Sequence, residues 1–294
     1  MMTVFYIVMG GDEALRYYME AYLSIRTFQK QLSPEIGRIC VITDHPSFFS
    51  KAGVEVITIT AEQKAEWMGS HHFFFRTKIK GMEYLHSLYP EDNLLYLDSD
   101  TFLYGHLSDL KKRLDEGHGL MHRREGKLTG ISHTAKRLWK KAAGHKYGDI
   151  TIGEQHHMWN AGVVGLPSQK ISETVASALA LCDGMLNDGN NEFITEQYSY
   201  SIALAEHTSL VATSDLIGHY WGNSMEWRDK AFEVFTYAYL NDFSLEEELQ
   251  TLDIDKLCEI PYFVHRSSTA GKLHRLIDRL FKVRESKSVK NECV

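Results

Sequence analysis

The sequence predicts a layered α/β fold built on a mostly parallel central sheet, and three observations point to it. Short, continuous apolar runs recur along the first hundred residues; several of them end on Gly or Asp; and longer segments with apolar residues at 3.6-residue spacing lie between them. Continuous rather than alternating runs mark strands that are buried on both faces.

Residues 4–9 are the first such run, closed by Gly10-Gly11-Asp12, a strand and its exit turn. Asp12 is placed to cap a helix whose inward stripe is Ala14, Leu15, Tyr18, Tyr22, Ile25 and Phe28. Residues 38–43 form a second strand that ends at Asp44, and residues 54–59 a third. A helix over 76–88 precedes the fourth strand, Leu94-Leu95-Tyr96-Leu97, which runs into Asp98-Ser99-Asp100. Ligands of such sheets sit at the carboxyl ends of the strands. Gly10, Asp44 and the Asp98/Asp100 pair all fall there.

The second half is less regular. Residues 159–166 read as a buried strand, followed by a helix with the stripe Ile171, Val175, Leu179, Cys182 and Leu186. A helix begins near Thr195, a short strand covers 211–213, and a further helix spans about 228–240. Residues 261–265 suit a late strand or an extended loop. The expected division is one catalytic domain over 1–255 and a C-terminal helical appendage over 256–294.

The bulk numbers exclude several classes. At 294 residues, 44% hydrophobic and 24% charged, the chain has the composition of a soluble globular protein. A net charge of −7 argues against a general nucleic-acid binder, which needs a basic surface. Four scattered cysteines without a Cys-x-x-Cys pair argue against a zinc cluster or a disulfide framework and favour a reducing compartment. The first residues lack a signal peptide's basic start and cleavage site, and no apolar run reaches about eighteen residues. A cytoplasmic protein is expected. Residues 272–290 stand apart, with seven Lys/Arg against Asp278 and Glu285, a net +5 that leaves −12 for the rest. Leu273, Leu276, Ile277, Leu280 and Phe281 recur among them at helical spacing. That pattern suits an amphipathic helix on an anionic membrane, here the inner face, or equally a helix packed on the domain with a solvated basic side.

Asp98 and Asp100, one residue apart beyond an apolar strand, offer two oxygen donors on one face. Such a pair suits a divalent cation, and the cation suits a diphosphate. Three further segments follow in order: Trp-Asn-Ala-Gly-Val at 159–163, Glu-Gln-Tyr at 196–198, and His-Tyr-Trp-Gly-Asn at 219–223 with a trailing Trp227. With these four features the chain resembles, over residues 4–227, the nucleotide-sugar glycosyltransferases of the GT-A fold, especially the glycogenin and bacterial lipopolysaccharide galactosyltransferase family.

The resemblance implies that Asp98, Asp100 and His219 hold Mn²⁺ or Mg²⁺ against the donor diphosphate, with His265 in reserve as third ligand. It implies that Asn160 lines the sugar and acceptor pocket and that Gln197, beside Glu196, faces the sugar opposite the leaving group. Gly10, Asp44, Arg76, Lys78, Ser99 and Gly222 complete the expected donor-binding set, with Asp44 toward the base or ribose and Arg76 and Lys78 toward the diphosphate. One departure stands out. Met225 occupies the position of a phosphate-contacting lysine, so that either Lys230, Arg228 or Arg76 supplies the charge or the substrate differs.

The implied function is metal-dependent transfer of a hexose from a nucleotide diphosphate sugar, UDP first among them, to the hydroxyl of an unassigned glycan, lipid or protein. Retention of configuration is expected, because an amide at 197 is a poor nucleophile; inversion would point to Glu154 or Glu196 as base. Two rivals remain. Haloacid-dehalogenase-like phosphatases use an Asp-x-Asp whose first residue, here Asp98, is the nucleophile, but they usually carry it on the first strand. A sugar-nucleotide-binding protein would keep the pocket without turnover.

Overall fold

Period-two alternation along three neighbouring strands sets the layers. These are β1 (Met2–Val8), β2 (Gly37–Thr43) and β4 (Asn93–Leu97), with β3 (Glu55–Thr58) at the edge. In the computed structural model, which describes residues 1–10, 14–34, 36–264, 273, 276, 277 and 280, one face of these strands carries Phe5, Cys40, Ile42, Leu94 and Tyr96. The other carries Val4, Tyr6, Ile39, Val41, Leu95 and Leu97. Helices α1 (Leu15–Gln29) and α4 (Leu107–Asp115) cover the second face. The first is covered by α2 (Ala61–Met68), α3 (Arg76–Leu88), α6 (His133–Ala142), α7 (Ile171–Asn187) and α8 (Thr195–His207), with α5 (Leu128–Ile131) leading into α6.

The remaining strands are β5 (Thr101–Leu103), β6 (His118–Met121), β7 (Arg124–Gly126), β8 (Lys146–Tyr147), β9 (Ile150–Thr151), β10 (Met158–Trp159), β11 (Val163–Leu166), β12 (Ser209–Ala212) and β13 (Ile217–His219). The main sheet has seven strands in the order β12-β6-β11-β4-β1-β2-β3. All its neighbours pair in parallel except β11, which runs against both β4 and β6. The expected α/β layering with a mostly parallel sheet flanked by helices is what forms. Strand order reverses at β1/β4, and the crevice there lies at the carboxyl ends of both.

A third cluster joins Leu23, Phe102, Tyr220, Trp227, Ala231, Leu252 and Leu257. It binds α9 (Ser224–Leu240), α11 (Ile254–Cys258) and Leu252 at the end of α10 (Leu245–Thr251) to α1 and β5. This explains why α1 is buried all round from Tyr18 to Phe28 rather than along one stripe. Its outward Arg26 meets Glu248 at 2.5 Å, and its Glu20 meets Arg228 at 2.8 Å. Leu15, expected to point inward, is 52% exposed. Asp12, the expected cap, lies outside the described residues.

The chain forms two compact units, Met1–Tyr262 and Phe263–Val294. Asp255, where the domain was expected to end, falls inside α11. Among the described residues no helix is long and apolar enough to cross a membrane. Of the tail, Leu273, Leu276, Ile277 and Leu280 are described; they are helical and exposed.

Candidate active site

The two aspartates converge through a turn rather than through strand alternation. β4 stops at Leu97, and residues 98–100 turn the chain into β5. Thr101 Oγ1 donates to the Asp98 carbonyl at 2.9 Å, and Asp98 N donates to the Gly162 carbonyl at 2.9 Å. β5 pairs antiparallel with β13 so that Thr101 stands opposite His219, and Tyr220 N donates to the Asp100 carbonyl at 3.0 Å. That ladder carries the late histidine to the early carboxylates. One ligand atom each from Asp98, Asp100 and His219 lie within 4.8 Å of one another.

Two glycines make room for this approach. A Cβ on Gly162 would lie 2.3 Å from His219 Cε1 and 2.4 Å from Nδ1. A Cβ on Gly218 would lie 2.1 Å from Phe102, the ring over which β13 passes. Tyr220 stacks on Trp227 at 4.3 Å and 5°, with Phe102 on Trp227 at 4.6 Å. So within the His-Tyr-Trp-Gly-Asn segment His219 faces the two carboxylates, whereas Tyr220 and the trailing Trp227 are packing.

Hydrogen bonds fix the histidine. Its Nε2 lies 3.0 Å from Asp100 Oδ1 and its Nδ1 2.9 Å from Asn160 Oδ1. Burial alone would lower the His219 pKa, but the charge and hydrogen bond of Asp100 raise it. Reciprocally, burial would raise the Asp100 carboxyl, and His219 holds it below its ordinary value. His122, edge-on to His219 at 5.3 Å, is pushed down to about 3 by burial and by that neighbouring charge.

A second charged group faces the same point. Lys78 Nζ lies 2.7 Å from Asp98 Oδ1 and 4.0 Å from Glu196 Oε2, and Tyr96 OH donates to Asp98 Oδ1 at 2.5 Å. Burial would lower the Lys78 pKa, yet the Asp98 and Glu196 charges raise it. Glu196, 1% exposed, is pushed up to about 7 by burial, partly offset by Lys78, and its Oε1 has no hydrogen-bond partner among the described residues.

Lys78, Asp98, Asp100, Asn160, Glu196, Gln197 and His219 all line one open cleft of about 720 Å³. Ser99 lies on its turn and Gly222, half-buried, follows β13. Gly10 and Asp44 sit together at the neighbouring strand ends. Gly10 N donates to both Asp44 oxygens at 3.1 Å, while Tyr18 OH at 3.0 Å and Lys64 Nζ at 2.9 Å also bind that carboxylate. Burial would raise the Asp44 pKa, but these partners, Lys64 first, bring it below the ordinary value.

Arg76 is not brought to the cleft. Its guanidinium pairs with Asp183 at 2.7 and 2.9 Å and with the Trp67 carbonyl at 2.8 Å. The other residues considered to replace the lysine absent at Met225 are also engaged elsewhere, Arg228 with Glu20 and Lys230 with Glu233. Glu154 is exposed and pairs with Lys127. His265 lies outside the described residues.

The cleft also holds residues that the sequence motifs did not nominate, Arg123, Arg124 and Glu125 among them. Glu125 Oε1 accepts from Asn160 Nδ2 and its Oε2 from Gln197 Nε2, each at 3.2 Å. The amide oxygens turn the other way: Asn160 Oδ1 accepts from Gly162 N at 3.1 Å and Gln197 Oε1 from Ala161 N at 3.4 Å. The available signal was position, because these residues follow the carboxyl end of buried β6.

No family's sequence profile matches the chain, and no curated protein is detectably similar in sequence. Solved structures are similar in fold. Mouse xyloside xylosyltransferase 1 in its apo form is 9% identical with a TM-score of 0.46, over 72% of this chain and 84% of that one. The galactosyltransferase LgtC with donor and acceptor sugar analogues is 12% identical with a TM-score of 0.49, over 88% and 100%. An active-site mutant of LgtC is 14% identical with a TM-score of 0.45, over 72% of each chain. At such identities and scores these are likenesses to solved glycosyltransferases, and the chemistry of this chain is read from its own cleft.

Proposed function

We propose that this chain is an enzyme, a metal-dependent glycosyltransferase that moves a hexose from a nucleotide diphosphate sugar, UDP-linked, to an acceptor hydroxyl with retention of configuration. The observation that carries this reading is the meeting of Asp98, Asp100 and His219 at the end of the central strand, in one cleft with Asn160 and Gln197.

The donor set fits the ion. Two carboxylates with an imidazole nitrogen suit Mn²⁺, with Mg²⁺ as the alternative, better than Ca²⁺. The missing side chain of Gly162 is the cradle for that imidazole. When bound, the ion supplies Lewis-acid stabilisation of the charge that develops on the departing diphosphate. Asp98, Asp100 and His219 would hold it. Lys78, held cationic by its acidic neighbours, and Arg123 face the same cleft and suit the remaining phosphate charge. Gln197 offers a carbonyl oxygen for positive charge at the anomeric carbon and no nucleophile. Glu196 sits too deep beside Lys78 to be an exposed carboxylate nucleophile. Both facts favour retention without a long-lived glycosyl-enzyme. The basic segment 272–290 adds peripheral contact with an anionic membrane at the inner face to the proposal.

A thermal-shift panel of nucleotide sugars, with and without Mn²⁺, tests the reading. A donor at a hundred times its Kd stabilises by about 2.7 kcal/mol. The gain should require the metal and vanish in Asp98→Asn/Asp100→Asn. Slow donor hydrolysis without acceptor supports the transferase, hydrolysis of an aryl phosphate the phosphatase, and binding without turnover the sensor. Full turnover by Asp100→Asn in excess EDTA would sink the metal reading, since loss of a transition-state charge stabiliser should cost roughly 10²-fold or more.

A further inference from the structure

Side-chain amides are ambiguous groups: either end can face a given neighbour, and only the partners decide. In this cleft two amides, from distant parts of the chain, hand their NH₂ ends to one carboxylate and their oxygens to consecutive backbone N–H groups. We propose that Glu125 is the positioning residue of the site: it orients Asn160 and Gln197 together and, through Asn160 Oδ1, keeps the His219 proton on Nδ1 so that Nε2 is free to bind the metal. The part concerning the metal rests on the function proposed above.

The chemistry is one of donors and acceptors. An ionised carboxylate only accepts, so it can take two NH₂ groups at once. With its NH₂ committed to Glu125, Asn160 must present its oxygen to Gly162 N and to His219 Nδ1, 2.9 Å away. In this structure Nε2 donates to Asp100 Oδ1 at 3.0 Å; a metal taking both groups would displace that proton alone, because Nδ1–H stays on Asn160 Oδ1 and leaves the Nε2 lone pair for the ion. The same carboxylate ties β7 to the first turn of α8, so Gln197 and the segment before β11 share one fixed geometry. A glutamine in place of Glu125 brings an NH₂ of its own and can satisfy only one of the two amides. An alanine satisfies neither, but introduces no opposing donor.

The experiment compares wild type with Glu125→Gln and Glu125→Ala. Imidazole ¹⁵N shifts of His219 are read at alkaline pH with and without Mg²⁺, together with Mn²⁺ affinity by titration and thermal melting as a check on folding. Outer partners of metal ligands typically matter by 10- to 100-fold in affinity. Because Glu125 acts through Asn160, about a tenfold loss of Mn²⁺ affinity is expected, with the His219 Nδ1 shift changing as its hydrogen bond to Asn160 is lost. Folded variants that keep wild-type ¹⁵N shifts and wild-type Mn²⁺ affinity would overturn the proposal. If wild type binds neither ion, the metal reading fails by itself, and the metal-free Nδ1 shift, which reports the hydrogen bond to Asn160, still decides the role of Glu125. A Glu125→Asp variant that restores the wild-type Nδ1 shift would support positioning over mere packing.

Discussion

Gly162 sets where His219 stands, since the imidazole occupies the space a methyl group would need. Gly162→Ala should therefore cost about 1–3 kcal/mol in urea denaturation, as for an overpacked site. It should also weaken Mn²⁺ by about tenfold or more in a titration. Unchanged affinity would argue against His219 as a ligand. Glu196 gives a pH-dependent test. Its pKa rises from 4.5 to about 7 on folding, so the folded protein holds the proton more tightly than the unfolded chain. The stability this confers is fully present below pH 4.5 and is lost as pH rises to 7, on the order of 3 kcal/mol. Glu196→Gln has no such titration. Its stability relative to wild type should climb across that window and level off above it, in urea denaturation at stepped pH; a flat difference would count against the shifted carboxyl. At this scale the meeting of the motif residues Asp98, Asp100, Asn160, Gln197 and His219 in one cleft was legible, because chemistry-bearing types at strand ends converge in this class of sheet. Arg76 was not. On a helix, residues two apart point about 200° from each other, so Arg76 and Lys78 cannot serve one cleft.

Trp227 holds an element in place rather than a ligand. Fully buried between Phe102 and Tyr220, it also donates from Nε1 to the Pro261 carbonyl at 3.1 Å. Trp227→Ala should cost about 3–5 kcal/mol in urea denaturation. Because β13 rests on this stack, the same variant should weaken Mn²⁺ binding; retained affinity would separate the cluster from the site. Long, strongly patterned elements were readable: α3 runs over Arg76–Leu88 as its spacing implies, and α7 buries Ile171, Val175, Cys182 and Leu186, with Leu179 half-buried. The missed elements divide by cause. α2 carries a readable start, the Thr60/Gln63 capping box, and α4 a readable stripe, Leu107, Leu110 and Leu114. The two-residue strands β8, β9 and β10 have too few positions to show any period, and they exist only through pairing. The turn at 98–100 is likewise set by pairing, since the apolar run before it reads the same whether the strand stops at Leu97 or continues.

For the whole molecule, charge is distributed as two opposed regions, a net +5 over residues 272–290 against −12 elsewhere. At about 1 kcal/mol per basic residue near an anionic surface, the segment supports reversible adhesion. The full chain should sediment with anionic liposomes and lose this at high salt, whereas a chain ending at Ala270 should stay in the supernatant; equal pelleting of both would remove the tail from the proposal. The site itself depends on how the sheet is threaded. β11 is the one reversed strand of seven, so its beginning rather than its end arrives beside Asp98. The ladder from Val163 opposite Leu97 to Leu166 opposite Leu94 therefore works as a ruler whose zero mark is the Asp98/Asp100/His219 cluster. Its smallest division is one residue, about 3.3 Å, while a coordination sphere tolerates errors of about 0.2 Å. Slippage by one residue would carry Gly162 away from Asp98 and turn the buried side chains of β11 to the opposite faces, so the cluster and the core would be lost together.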